Sequence, residues 1–244
     1  MLPLTGERTL PGIWHENYWF RRHEIAYLTA LPLGRGALVL DAGCGEGYGA
    51  AMLVDDGADV VAADVDLPSL RHAAATYPQV RCVLANLVRL PFRPGSFDTV
   101  VSLQVVEHLW DQGEFVSECA RVLRQFGLLV LSTPNRLTFS PDDGAGTPPA
   151  NPFHSRELAP EELVDLVSPH FRVVELLAVH HGTRIAAWEK AHGPLPEQLS
   201  SAPPEDWPAH VSDFVASVEA TDFEVSVDQP ERALDVLVVA ERRP

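Results

Sequence analysis

Val39-Leu40-Asp41-Ala42-Gly43-Cys44-Gly45-Glu46-Gly47-Tyr48-Gly49-Ala50 runs from an aliphatic stretch directly into glycines at alternate positions. Such a run reads as a buried strand, a tight turn and the opening of a helix. The glycines let the backbone turn sharply and present its N–H groups to a ligand where a Cβ would intervene. A dinucleotide fingerprint starting at Gly43 and Gly45 requires a third glycine where Tyr48 stands. Asp41 fits poorly beside a pyrophosphate and well beside a cationic amino-acid head. The expected ligand therefore carries an ammonium group and no phosphate.

Beyond this stretch, β-branched runs alternate with amphipathic stretches, the pattern of an α/β protein whose parallel sheet is covered on both faces. Strands are expected at Leu38 to Asp41, Val60 to Asp64, Val80 to Leu84, Phe97 to Leu103, Leu128 to Thr133, Phe171 to Val179 and Leu234 to Ala240. Apolar residues at three- and four-residue spacing predict helices over Tyr48 to Asp56, Pro68 to Tyr77, Gln112 to Gln125 and Leu158 to Val167. A helical stretch ending at Leu31 follows the aromatic and basic run Asn17-Tyr18-Trp19-Phe20-Arg21-Arg22-His23 and is expected to cap the sheet.

The 244 residues fit one domain: a cap over 1–36, a core over 37–179 and a last strand over 231–244. Within the core, 135–160 is rich in Pro, Gly and Asp (Pro141-Asp142-Asp143-Gly144, Pro148-Pro149) and reads as an active-site loop. The 180–230 segment is too long for a simple connection and reads as a lid, a substrate wall or a contact in a homo-oligomer.

A net charge of -16 opposes a phosphate backbone, so no nucleic-acid partner is expected. A solvated acidic surface is enough to account for it. Cys44, Cys82 and Cys119 lack the spacing of a disulfide framework or zinc site, and no run suggests an export signal or membrane span. The cytoplasm is the expected location.

Asp64 ends the second strand, where its carboxylate can accept both hydroxyls of a ribose, and Val65 would lie against a base. Asn86 ends the third strand and suits either a base edge or a turn.

Val39 to Gly47, taken with Asp64, Leu90-Pro91-Phe92, Ser96-Phe97-Asp98, Glu107-His108-Leu109, Arg121-Val122-Leu123 and Ser132-Thr133-Pro134-Asn135, resembles the class I methyltransferases. The resemblance covers about Ala37 to Val179. It implies a Rossmann-like fold with a seven-stranded, mostly parallel sheet, S-adenosyl-L-methionine as cofactor and S-adenosyl-L-homocysteine as product. Asn86 departs from the family's usual Asp. The implied cofactor contacts are Asp41, Gly43, Gly45, Asp64, Val65, Asn86, Leu87, Gln104, Tyr18 and Arg22.

A narrower resemblance rests on Leu4-Thr5-Gly6-Glu7-Arg8-Thr9, Glu16 to His23, Glu107 to Gln112 and Asn151-Pro152-Phe153-His154-Ser155-Arg156-Glu157-Leu158. These segments are similar to the actinobacterial sugar O-methyltransferases of methylmannose polysaccharide biosynthesis. The implied acceptor is a small saccharide, the anomeric 1-hydroxyl of a short 3-O-methylated mannoside. An acceptor that is a quinone or other lipophilic phenol is the competing expectation, and a silent binding module is a third.

A sugar hydroxyl needs a proton acceptor, and His108, His154 and His23 compete, with Glu107 beside them. Glu107, His108 and Asp111 are also the expected ligands of Mg2+, because ubiquinone-type O-methyltransferases imply a Glu-x-x-Glu-His run. Gln104 stands at the first position of that run here. Tyr18, Trp19, Phe20, Trp110, Phe139 and Phe153 are candidates to stack on a sugar, with Arg136, Asn151 and Arg156 to fix its hydroxyls; core packing is the alternative for Phe20.

Overall fold

In the computed structural model, residues 9–141, 149 and 151–244 are described. The Leu4 to Arg8 part of the N-terminal motif and the Asp142 to Pro148 part of the loop lie outside them. The chain enters through α1 (Asn17–Gly34), then alternates β1 (Leu38–Ala42), α2 (Tyr48–Asp55), β2 (Asp59–Asp64), α3 (Leu67–Thr76), β3 (Arg81–Leu84) and β4 (Phe97–Leu103). It continues through α4 (Gln112–Val122), β5 (Leu123–Pro134), α5 (Arg136–Phe139), α6 (Pro160–Val167) and β6 (Phe171–His181). Helices α7 (Thr183–His192), α8 (Leu195–Ser201) and α9 (Ala209–Ala216) precede β7 (Phe223–Ser226) and β8 (Asp235–Arg242).

Among the described residues the sheet has eight strands in the order β3-β2-β1-β4-β5-β8-β6-β7, a Rossmann-like arrangement. The β3-β2-β1-β4-β5 part is parallel throughout, and β8 lies antiparallel between β5 and β6. The eighth strand corrects the expected seven. It is β7, four residues pairing antiparallel with the end of β6, too short for its alternation to stand out from the 180–230 segment. The helix expected to run to Gln125 stops at Val122, because Leu123 already pairs with Phe97 as the first residue of β5.

Local chemistry sets the helix starts. Asp66 caps α3 by accepting from Ser69 N at 3.0 Å, with Pro68 in the first turn where its missing N–H costs nothing. Glu162 reaches back to Ala159 N at 2.8 Å at the start of α6. Gly49 permits the approach of α1 to α2, since a Cβ there would lie 2.0 Å from Cζ of Tyr27.

Two core clusters flank the sheet. Phe115, Cys119, Leu163 and Val167 from α4 and α6 pack on one face, and Tyr27, Ala30, Ala51 and Leu70 from α1, α2 and α3 on the other. A third cluster, including Ile185, Leu195, Val211 and Val215, closes α7, α8 and α9 around Tyr18 and the end of β6. Among the described residues no helix is long and apolar enough to cross a membrane.

The N-terminal helix is also held by charge. Arg22 of α1 donates to both oxygens of Asp235 at 2.6 and 2.5 Å, and both side chains are almost wholly buried. Removing one partner from such a pair strands a buried charge, which costs far more than the pair gains. Asp235→Ala is expected to lower the unfolding free energy by about 3–5 kcal/mol in urea denaturation, and Arg22→Met with Asp235→Leu to recover most of that loss.

Candidate active site

The carboxyl edge of the sheet carries the glycine loop. Asp41, near the end of β1, is fully buried and accepts from the Tyr27 hydroxyl at 3.3 Å. Burial pushes its carboxyl up to about 7, opposed by the Tyr27 hydrogen bond and reinforced by Asp64. Gly43 turns the chain with φ 90, and a Cβ there would lie 2.4 Å from Cγ2 of Val105. Asp64 is braced on both oxygens, Oδ2 accepting from Gly45 N and Oδ1 from Asp66 N, each at 2.8 Å. Its orientation is fixed while further lone pairs remain to accept hydroxyls.

Beside Asp64, Val65 is 71 % exposed and Leu84 55 %, an apolar surface suited to a flat ring. Asn86 uses Oδ1 to accept from Val88 N at 3.1 Å, the turn role, and is exposed. Leu87 is buried in the core under α4. Tyr18 is buried too, its hydroxyl donating to His181 Nε2 at 2.7 Å while His181 Nδ1 donates to Glu189. Tyr18 thus ties α1 to the end of β6, and the structure does not bring it to the glycine loop or the adjoining cavity.

That cavity, of about 530 Å³, opens beyond the ends of β4 and β5. Arg22 lines it, its guanidinium committed to Asp235 and packed against the Trp19 and Phe139 rings at 5.2 and 4.7 Å from their centroids. Gln104 joins it from the end of β4 with φ 58, a left-handed conformation held by N–H and Nε2 donation to Ser132. Ser200 of α8 contributes from the 180–230 segment.

Glu107, His108 and His154 converge here, each offering a ligand atom within 4.8 Å of the others. His154 Nδ1 donates to Glu157 Oε1 at 2.6 Å, and His108 Nδ1 donates to the Phe153 carbonyl at 3.0 Å. Both neutral rings therefore carry their unprotonated nitrogen at Nε2. Asn151 Oδ1 accepts from Phe153 N, which turns its Nδ2 towards His154 Nε2 at 2.9 Å. Glu107 is buried and accepts from Thr133 Oγ1 at 3.2 Å. Burial pushes its carboxyl up to about 8, against hydrogen bonds from backbone and Thr133. His23 lines the same cavity, but burial, with Arg22 and His108 nearby, pushes it down to about 3, too weak a base near neutral pH.

Asp111 does not join this group: its carboxylate caps α4 by accepting from Glu114 N at 3.0 Å. His154 takes the place expected for it, because Ser155 ties the 151–157 loop to the Glu107 and Leu109 carbonyls at 2.7 and 2.6 Å. Trp110 (93 % exposed) and Phe153 lie outside the cavity lining, and Arg136 and Arg156 both pair with Glu162. Sequence reasoning missed Glu157 and Asp235. The spacing of Glu157 three residues after His154 was a usable signal, whereas nothing local marks Asp235 as the partner of Arg22.

The family profile of a methyltransferase domain matches residues 40–131. A probable S-adenosylmethionine-dependent methyltransferase of Mycobacterium tuberculosis is 44% identical over 253 residues, 99% of this chain and 90% of that one. A counterpart in Mycolicibacterium smegmatis is 44% identical over 252 residues, covering 99% and 95%. Among solved structures, the 1,6-didemethyltoxoflavin-N1-methyltransferase of Burkholderia thailandensis, with 1,6-didemethyltoxoflavin and S-adenosylhomocysteine bound, superposes with a TM-score of 0.56. It is 19% identical and covers 93% of this chain and 81% of that one, a likeness of fold. With near full-length relatives at this identity and the glycine loop at the edge of a Rossmann-like sheet, the chain belongs to the S-adenosylmethionine-dependent methyltransferases.

Proposed function

We propose that the chain methylates a hydroxyl of a small saccharide, specifically the anomeric 1-hydroxyl of a short 3-O-methylated mannoside in methylmannose polysaccharide biosynthesis. The observation that carries this reading is the cavity lining. Among the described residues, its wall pairs the apolar surfaces of Trp19, Phe139, Pro134 and Pro152, suited to the C–H face of a sugar, with Glu16, Gln104, Glu107 and Asn151, which offer hydrogen-bond partners to a polyol. Among the described residues that line it, an acceptor carboxylate meets only the guanidinium of Arg22, which is already spent on Asp235.

S-adenosylmethionine, when bound, supplies an electrophilic methyl group that needs an aligned nucleophile and no further activation. Asp41 faces the cationic amino-acid head, Gly43 and Gly45 admit it, and Asp64 accepts the ribose hydroxyls. Gln104, at the end of β4 and on the cavity wall, meets the boundary between cofactor and acceptor. His154 Nε2 receives the hydroxyl proton as Asn151 gives way, and Glu157 stabilises the imidazolium that forms. His108 and Glu107 hold the acceptor oxygen from the other side.

Incubating the chain with labelled cofactor and either mannosides or phenols tests the acceptor, with NMR locating the new methyl group. Label on the 1-hydroxyl of a mannoside is expected, and label on phenols alone removes the saccharide reading. His154→Ala should lower kcat by about 10²–10⁴-fold while S-adenosylhomocysteine still binds.

Because the Asp41 carboxyl sits up near 7 in the free chain, the anion that meets the ammonium group is lost as pH falls below that value. Calorimetric affinity for S-adenosylhomocysteine should weaken by about tenfold per pH unit below 7. Asp41→Asn should bind weakly at every pH, and a wild-type chain that binds none even at pH 8 would leave only the silent module.

A further inference from the structure

The convergence of Glu107, His108 and His154 has a property that proton transfer alone does not require: each donor is fixed from behind by a separate partner. Glu157 holds His154 Nδ1 at 2.6 Å, the Phe153 carbonyl holds His108 Nδ1 at 3.0 Å, and Thr133 holds Glu107 at 3.2 Å. Metal-bound imidazoles almost always donate their second N–H to a carboxylate or backbone carbonyl, which fixes tautomer and ring direction. Both arrangements occur here and direct Nε2 of each ring away from its Nδ1 partner; at His154 an ion would replace the contact from Asn151 Nδ2 at 2.9 Å. The ligands also come from two segments, the end of β4 and the 151–157 loop, which Ser155 ties together at 2.7 Å.

We propose that Glu107, His108 and His154 form a site for one first-row transition-metal dication, zinc being the reference ion. The donor set is two imidazoles and one carboxylate, which suits such ions, whereas magnesium requires oxygen ligands. The two further side chains that an oxygen-rich site needs are turned elsewhere, Asp111 to the α4 cap and Gln104 to Ser132. Three protein ligands beside an open cavity leave coordination positions for an exogenous oxygen, the arrangement of catalytic rather than structural zinc. With an ion bound, His154 Nε2 would be a ligand in place of the proton-accepting role given above, and the ion would polarise the acceptor hydroxyl so that its proton passes to solvent water. The site assignment rests on this geometry; only the polarised hydroxyl rests on the methyl-transfer reading above.

The test uses the full chain without a histidine tag, stripped with a chelator and titrated with Zn2+ by calorimetry and with Co2+ by visible absorption. One ion per chain is expected, with cobalt bands of four- or five-coordinate intensity. His108→Ala and His154→Ala should each weaken binding at least 100-fold, and Glu157→Gln by about 10–100-fold. Asp111→Asn, which retains a capping side chain, should change nothing. The stacked surface pair His192 and His210, 5.0 Å apart, is the control: replacing both with Gln should leave the stoichiometry at one. Thermal melts confirm that each variant is folded.

Tighter binding of Mg2+ than Zn2+, unaltered affinity in His154→Ala, or loss of the ion in the His192 and His210 variant overturns the proposal. A chain that binds cobalt as described but methylates phenols alone keeps the metal site and loses only the saccharide assignment.

Discussion

The ion pair between Arg22 and Asp235 is the contact on which the acceptor half of the molecule depends. Asp235 is the first residue of β8, and the antiparallel entry of β8 between β5 and β6 puts it opposite Pro134 on one side and Val179 on the other. A bare carboxylate at that depth costs several kcal/mol of desolvation. Arg22 supplies a bidentate partner, and in doing so fixes α1 across the edge of the sheet. The Trp19 and Phe139 rings then cover the guanidinium and become cavity wall. Tyr18, on the same helix, reaches His181 at the end of β6. One helix thereby sets the distance between the sheet and the α7 to α9 segment.

The same helix reaches the cofactor half through Tyr27, whose hydroxyl lies 3.3 Å from Asp41 and whose ring occupies the space that Gly49 leaves open. Movement of α1 therefore alters both the environment of the carboxylate that meets the ammonium group and the wall that meets the acceptor. Gln104 stands between the two halves, and its left-handed backbone is the strained point of that boundary. Strain of this kind persists only where neighbours hold it. Here Ser132, on the adjacent strand, accepts from both the main chain and the side chain of Gln104.

What the sequence discloses follows from the range of the interactions involved. β1 to β5 and the glycine loop rest on local periodicity and backbone conformation, and both are written in consecutive residues. The strand β7 has four residues and pairs at the sheet's end, so its pattern is indistinguishable from the turns around it. Asp111 looks like a ligand in one dimension because it follows Glu107 and His108 closely. In three dimensions the first turn of α4 claims its carboxylate, while Ser155 brings in His154 from a loop far along the chain. The partner of Arg22 is separated from it by 213 positions, and no local rule reaches across that distance.

The cofactor and acceptor halves also differ in how much change they tolerate. The glycine loop is constrained by its own backbone, because side chains at Gly43 or Gly47 would strike Val105 or Ala73. The acceptor wall is constrained mainly by α1 and by the third core cluster, in which Leu195, Leu199 and Val215 seat α8 and so place Ser200 on the cavity. Exposed residues of α7 to α9 can vary without touching β1 to β5. Acceptor preference can therefore shift through the 180–230 segment and the 151–157 loop while cofactor binding stays intact. The limit on that freedom is Ser155, since any loop that loses its ties to the Glu107 and Leu109 carbonyls also loses the meeting of His154 with His108.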